Sequence, residues 1–303
     1  MHTENTNVTP SIRQFVISYK DNTPRLKSIE IPSNKIIDVP SYSQYIRDKN
    51  IVSVICSPTS ITMLLNRRNE NLIVEETAWS CFDYDYEAFG NWLFNVAFAS
   101  SLGYESFVEY GNLKSLKREI YSGYPVAVSV KYTNDINNLE YPYIENAPIT
   151  TAGHILVVRG FEKKDGIDYV VVNDPAGKSN ESVTRRYNLS EFESAWHRGS
   201  NIMYVIHDKE VEINNSRIET SLELKNNKEN LYSVLVNDTY LDLSSDFVKT
   251  ILITYDNGLT FEYLVPYNNH YLALENKNKC VIYIIGSDGF TYVCNCDRSE
   301  ERR

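Results

Sequence analysis

The spacing of apolar residues changes twice along this chain. Between residues 56 and 123, hydrophobic side chains recur at intervals of three and four, as on the buried face of a helix. The faces are Ile61, Leu64 and Leu65, then a stripe from Phe89 through Trp92 to Ser100, then Leu113, Leu116 and Ile120. This part is therefore predicted to be mainly helical, with Phe89 and Trp92 packed in the core.

From residue 124 the pattern becomes that of strands. Alternating valines predict the first long strand of a sheet over residues 124–132. A capping box, Ser190 with Glu193 three residues later, predicts a short helix over 189–197. Three more strands are predicted at 154–161, 169–172 and 203–206. A helical half followed by a sheet half indicates an α+β fold.

The last third of the chain changes character again. Strand patterns alternate there with turn signals, and Asn257–Gly258 and Asp288–Gly289 are typical of β-hairpin turns. These features predict a small antiparallel sandwich or barrel. Its predicted strands are 222–224, 231–236, 250–255, 260–265, 280–285 and 290–294.

The chain therefore divides into three predicted parts. Residues 1–37 form a polar tail with two short β-like pieces, at 12–19 and 26–31, separated by a turn. Residues 38–208 form the α+β domain, and residues 209–303 form an accessory all-β domain that shapes a cleft, holds a partner or dimerises.

Composition narrows the function. The 303 residues are 42% hydrophobic, which suffices for one large core and a second smaller one. The net charge is −10 and no Lys/Arg cluster with interleaved aromatic residues occurs, so no nucleic-acid partner is expected. No run of 18 apolar residues and no apolar leader occur, so we expect a cytoplasmic protein that does not enter a membrane. Five irregularly spaced cysteines favour a reducing compartment over a disulfide framework.

Cys56 stands where a helix is predicted to begin. Pro58 lies within the first turn, where a missing backbone N–H costs no hydrogen bond. The unpaired N–H groups and the dipole at a helix start favour a thiolate over a thiol, so we expect a lowered Cys56 pKa. The alternative is a small buried hydrophobe, and a catalytic role requires a partner.

His154 is the best candidate for that partner among the five histidines. It lies at the mouth of an apolar strand, and the next strand leads into Asn173 and Asp174. If the two strands pair as a β-hairpin, an Asp or an Asn comes close to the imidazole. Cysteine, histidine and a carboxylate are the nucleophile, base and orienting group of acyl transfer. The alternative is a hydrogen-bonded core histidine beside an ordinary turn.

Taken in order, four segments resemble the C39-like branch of the papain-like cysteine peptidases. They are residues 39–44, the helix at Cys56, the strand that begins at Gly153 and His154, and residues 173–175. The helix around Phe192 and Trp196, with the strand after it, is similar to the end of that family's domain. The resemblance covers residues 38–208 and implies a papain-like fold, with the site in the cleft between its two halves.

The resemblance also implies a catalytic triad of Cys56, His154 and Asp174. It further implies that the side-chain amide of Gln44 joins the Cys56 backbone N–H in an oxyanion hole, because such a hole needs a second donor. The interval from Gln44 to Cys56 is longer than the family pattern and contains the charged stretch 47–49. A solvated loop glutamine is the alternative.

Two further groups of residues are candidates for binding. Tyr84 and Tyr86 lie in an acidic loop and are candidate substrate-binding residues, with an exposed connector as the alternative. A zinc site of Cys280, Cys294, Cys296 and His270 is weighed against a sheet face that carries thiols, and the missing CxxC pairs favour the sheet face. No metal or cofactor is expected.

These features predict a cysteine enzyme that forms a thioester on Cys56. We favour an acyltransferase or amide synthetase that joins an acyl group, small or presented on a carrier protein, to an amine in peptide natural-product assembly. Some protease-like members of the papain-like fold have that role. The alternatives are a C39-like peptidase that hydrolyses a peptide or amide bond, and a non-catalytic binding protein. The sequence does not define an oligomeric state.

Overall fold

The computed structural model describes residues 16–17, 34–213, 222–228, 230–256, 258–274 and 279–297. The predicted β-like piece at 12–19 lies outside these residues except for 16–17. The piece at 26–31 and the turn residue Asn257 lie outside them entirely.

Within residues 34–213, the first part of the molecule contains five α-helices and seven strands. The helices are α1 (Cys56–Asn66), α2 (Val74–Ser80), α3 (Trp92–Ser101), α4 (Leu113–Ser122) and α5 (Leu189–Arg198). The strands are β1 (Lys35–Ile36), β2 (Tyr104–Tyr110), β3 (Val126–Tyr132), β4 (Thr151–Lys164), β5 (Ile167–Asn173), β6 (Thr184–Asn188) and β7 (Ile202–Lys209). The longest of these helices, α1, has 11 residues, and no helix within the described residues could span a membrane.

The seven strands form one antiparallel sheet. Their order is β2-β7-β3-β4-β5-β6, and β1 pairs with the far end of β4. Residues 126–130 of β3 are all buried, so both faces of the sheet centre are covered. Helix α1 packs on β4 and α5 packs on β3. The α+β fold predicted from the sequence is confirmed.

Eight strands lie in the described residues of the last part of the molecule, from 222 to 297. They are β8 (Leu222–Lys228), β9 (Leu231–Val236), β10 (Thr239–Tyr240), β11 (Val248–Thr254), β12 (Glu262–Tyr263), β13 (Leu272–Ala273), β14 (Lys279–Gly286) and β15 (Thr291–Asp297). One sheet is built on β9, which pairs with β8, β10 and β13, and the other has the order β12-β11-β14-β15. Both sheets contribute to one core, with Val234 from the first and Ile253 and Ile282 from the second. This arrangement is a sandwich.

One strand was missed and two local predictions were wrong. Residues 104–110 form strand β2, which interrupts the region that was predicted, correctly, to be mainly helical. This strand lies at the sheet edge, where most of its residues are only partly buried and the alternation is weak. Trp92 is 38% exposed, because it begins α3 and the first turn of that helix is exposed, whereas Phe89 is buried as predicted. Helix α5 is capped by Asn188, which accepts from the Ser190 N–H, and not by Ser190.

Candidate active site

Cys56 is the first residue of α1. The preceding residue, Ile55, offers no side-chain cap, and Pro58 sits in the first turn, where backbone N–H groups have no intrahelical partner. The rest of the helix through Leu65 is buried, which fixes the helix start against the sheet. Cys56 itself is only partly buried.

His154 reaches Asp174 through the β4–β5 hairpin. The register pairs Val157 with Asn173, so Asp174 follows β5 beside the start of β4. His154 Nε2 lies 2.8 Å from Asp174 Oδ1, and both side chains are buried. Since Nε2 faces the carboxylate, Nδ1 is the ring nitrogen that serves the hydrogen bond between His154 and the Cys56 thiol.

Charge coupling within this group sets its protonation. Burial alone would raise the pKa of Cys56, but the charge and hydrogen bond of His154 outweigh it and lower that pKa. Burial would likewise lower the pKa of His154, and the charges of Asp174 and Cys56 raise it instead. The favoured state is therefore a thiolate beside an imidazolium, which is a prepared nucleophile with an acid next to it.

Asp174 is held by two tyrosines that the sequence analysis did not identify. Its Oδ2 accepts the hydroxyls of Tyr132, at the end of β3, and Tyr187, in β6, each at 2.8 Å. Its Oδ1 also accepts the Ala176 N–H at 2.9 Å. Burial would raise the pKa of Asp174, but His154, the Tyr132 hydroxyl and the Ala176 N–H lower it. Tyr132 ends the strand that pairs with the histidine strand, and that position was the available sequence signal.

Asn173, the other orienting candidate, has a different role. Its Nδ2 donates to the carbonyl oxygens of Val39, at 3.2 Å, and Pro40, at 3.0 Å, while its Oδ1 accepts the Thr184 hydroxyl at 2.8 Å. These bonds tie the segment before Gln44 to the end of β5. The structure therefore brings Asp174, and not Asn173, to the imidazole.

Gln44 lies in a one-turn 3₁₀-helix, Gln44–Ile46, and is buried. Its backbone N–H donates to the carbonyl of Pro175 at 2.9 Å, so Gln44 lies beside the residue that follows Asp174. Its Nε2 donates to the Val52 carbonyl at 2.7 Å. Its Oε1 is buried without a hydrogen-bond partner among the described residues. A glutamine solvated in a loop, the alternative considered from sequence, does not describe this side chain.

Tyr45 is a third residue that the sequence analysis missed. Burial and then the charges of Asp174 and Cys56 raise the pKa of its hydroxyl, so the phenol lies within electrostatic reach of the triad. The side chain is 40% exposed and can contact a bound molecule. Its position directly after Gln44 was the available signal.

The remaining candidates lie in other surroundings. The Tyr84 hydroxyl donates to the Ser287 carbonyl at 2.7 Å, so this residue connects its loop to the accessory sandwich. Tyr86 is 81% exposed. Cys296 pairs across β14 and β15 with Cys280, and its Sγ is 3.7 Å from that of Cys294, so these thiols share one face of the sheet.

Comparison with known proteins identifies one family whose profile matches more than half of the chain. Residues 36–203 match the profile of the family described as "Peptidase_C39 like family", and no curated protein matches the chain. One similar solved structure is a double glycine motif protease from an AMS/PCAT transporter, in complex with the leader peptide. It is 17% identical, with 57% of this chain and 94% of that chain covered and a TM-score of 0.38.

Two cathepsin precursors are also similar. Digestive procathepsin L 3 of Tenebrio molitor larval midgut is 14% identical, with 57% of this chain and 67% of that chain covered and a TM-score of 0.40. Procathepsin B S9 from Trypanosoma congolense is 9% identical, with 62% of this chain and 84% of that chain covered and a TM-score of 0.34.

Proposed function

Because this chain belongs to the Peptidase_C39 like family and has an α+β, papain-like architecture, we propose that it is a cysteine acyl-transfer enzyme. In this proposal it forms a thioester on Cys56 and passes the acyl group to an amine. The observation that supports it most is the position of the imidazole, which has a buried carboxylate on Nε2 and the Cys56 thiol on its other side.

The first half-reaction uses the thiolate and the imidazolium together. Cys56 Sγ attacks the acyl carbon, and the resulting oxyanion accepts hydrogen bonds from the Cys56 backbone N–H and the second Nε2 hydrogen of Gln44. The first Nε2 hydrogen is used by the Val52 carbonyl. His154 gives its Nδ1 proton to the leaving group as the bond to the acyl carbon breaks, which leaves a thioester on Cys56.

The second half-reaction regenerates the thiolate. Neutral His154 takes a proton from the acceptor through Nδ1, while Asp174 keeps the other proton on Nε2 and so fixes the tautomer. The acceptor attacks the thioester carbon, the C–S bond breaks, and the proton on His154 restores the ion pair with Cys56. An amine gives an amide, and water gives an acid.

The burial of the base supports an amine as acceptor. His154 is 4% exposed and Asp174 is 0% exposed, so little water reaches the imidazole that would have to deprotonate it for hydrolysis. An amine that binds in the cleft gains from proximity to the thioester, whereas water is disfavoured in a site shielded from solvent. The acyl donor is proposed to be a small molecule or a group on a carrier protein. Family membership supports a second candidate, hydrolysis of a peptide or amide bond.

The partition between amine and water tests the acceptor. Acyl N-acetylcysteamine thioesters serve as donors, and amino acids, polyamines and carrier-bound amines are screened as acceptors, with Cys56→Ala as the control. We expect one amine to discharge the acyl-enzyme much faster than buffer does and to give the amide as main product. If the acyl-enzyme is hydrolysed at the same rate with and without every amine in the screen, the protein is a peptidase and not an acyltransferase.

A further inference from the structure

The accessory sandwich packs directly on the catalytic part through α2. Buried Ile73, next to the start of α2, forms a cluster with Leu252 of β11 and Ile285 of β14. A second cluster joins Val74 of α2 to Ile51 and to Ile55, the residue before Cys56. The sandwich is therefore connected by continuous packing to the start of the nucleophile helix.

Two hydroxyls of the sandwich bond to buried carboxylates of the catalytic part. Thr250 Oγ1 donates to Asp48 Oδ2 at 2.7 Å, and the Tyr263 hydroxyl donates to Glu75 Oε1 at 2.6 Å. Glu75 Oε1 also accepts the Asp48 N–H at 3.1 Å. Asp48 is 6% exposed and Glu75 is 0% exposed, so each carboxylate depends on these donors to satisfy its hydrogen bonds and to stay in place.

Asp48 in turn organises the loop between Gln44 and Cys56. Its carbonyl accepts the N–H groups of Ile51, at 3.0 Å, and Val52, at 2.9 Å, which closes a turn. The carbonyl of Val52 then accepts Gln44 Nε2 at 2.7 Å. The long interval that separates this sequence from the family pattern is thus a folded loop, and its anchor lies in the sandwich.

We propose that Thr250 and Tyr263 are positioning residues for the oxyanion hole, and that the accessory sandwich fixes the Gln44 amide through Asp48 and the 48–52 turn. This inference rests on the proposed function, because it assigns an oxyanion to the reaction. It gives the sandwich a specific role in turnover. Without its two hydroxyls, the turn moves and the amide is no longer aimed at the developing charge. Orientation errors of this kind reduce turnover and leave binding largely unchanged.

Two reagents separate this effect from general damage. Acetylation of Cys56 by p-nitrophenyl acetate passes through an oxyanion, whereas alkylation by iodoacetamide displaces iodide at a saturated carbon and forms none. In Thr250→Val and Tyr263→Phe, we expect acetylation to slow about tenfold, a part of the 10²- to 10³-fold that one oxyanion donor contributes. Alkylation should keep the wild-type rate, and Thr250→Ser should restore acetylation.

Matched controls are available within the sandwich. Thr254 of β11 donates to Asp256 at 2.7 Å and Tyr292 of β15 donates to Asp288 at 2.8 Å, so Thr254→Val and Tyr292→Phe remove the same kind of bond away from the loop. Both should acetylate at the wild-type rate. In a Gln44→Ala background, Thr250→Val should cause no further loss, because both changes remove the same donor.

Three results would overturn the inference. The rates of acetylation and alkylation could fall together in Thr250→Val and Tyr263→Phe, or the acetylation rate could stay unchanged in both variants. The third is that Thr250→Val slows acetylation in the Gln44→Ala background as much as it does in the wild type. Wild-type acetylation of Cys56 tests the proposed function separately. If Cys56 is not acetylated, the proposed function and this inference both fail. If it is acetylated and the variants match the wild type, only this inference fails.

Discussion

The two tyrosines on Asp174 allow a quantitative prediction. Tyr132→Phe and Tyr187→Phe each remove one hydroxyl from Asp174 Oδ2 and keep the buried ring, so packing changes little. Because the carboxylate is fully buried, water cannot replace the missing donor. Each variant therefore reports how much one hydrogen bond contributes to keeping this carboxylate charged.

The expected magnitude follows from the charge of the acceptor. A hydrogen bond to a charged group contributes about 1.5–3 kcal/mol, compared with about 0.5–1.5 kcal/mol for a typical neutral one. Each single variant should therefore lower the free energy of unfolding by about 1.5–3 kcal/mol near neutral pH. The folded-state pKa of Asp174 is depressed, so its stabilising effect exists above the unfolded value of about 3.9 and is lost as the pH falls through the folded value. Removing a donor lessens the depression and moves acid unfolding to higher pH.

Urea unfolding of the wild type and the variants, followed by fluorescence from neutral pH to about pH 2, measures both effects. Tyr204→Phe is the matched control, since the Tyr204 hydroxyl is equally buried but bonds to the neutral Ser57 hydroxyl at 3.0 Å. Its cost should be smaller and independent of pH over this range. Equal, pH-independent costs in all three variants would refute the assignment of a charged Asp174 held by tyrosines.

Three further predictions concern protonation and the triad. Iodoacetamide should label Cys56 faster than buried Cys81, whose pKa is raised by burial. The rate of Cys56 labelling should reach half its maximum below about pH 8.5, which is the pKa of a free thiol. A midpoint at or above that pH would contradict a lowered Cys56 pKa. Asp174→Asn should keep the fold by circular dichroism and lower acetylation turnover by up to about 10⁴-fold, and near-normal turnover would mean that another group orients His154. Burial would lower the pKa of His207, but its hydrogen bonds to Glu119 and Glu105 raise it, so the stability that these ion pairs contribute is complete below about pH 6.5 and is lost as the pH rises through the folded value. His207→Gln should therefore lower Tm more at about pH 6 than at about pH 9. An equal loss of Tm at both pH values would exclude the ion pair.

The sequence was sufficient to predict those parts of the site that a strong local pattern marks. The helix start at Cys56 and the hairpin that follows His154 were both predicted from apolar spacing, and the structure brings the two residues together. The edge strand β2 was missed because a half-exposed strand has little alternation to detect. Trp92 was misplaced because helical spacing does not reveal where a helix begins.

The partners of Asp174 could not be identified from sequence for a different reason. Tyr132 and Tyr187 are 42 and 13 residues away from it, and they meet at Oδ2 only because β3 and β6 lie on either side of the β4–β5 hairpin. The contact between Thr250 and Asp48 spans 202 residues. Such pairings depend on sheet order and on how the sandwich docks, which local patterns do not encode.

Peptide mapping of the acetylated protein tests the central claim most directly. The wild type is mixed with p-nitrophenyl acetate, quenched in acid within the burst and digested, and every cysteine peptide is examined by mass spectrometry. The thioester mechanism predicts one acetyl group on the Cys56 peptide, lost on treatment with hydroxylamine and absent from Cys56→Ala and His154→Ala. Acetylation spread evenly over Cys56 and the other accessible cysteine, Cys296, or a burst that survives in Cys56→Ala, would contradict it.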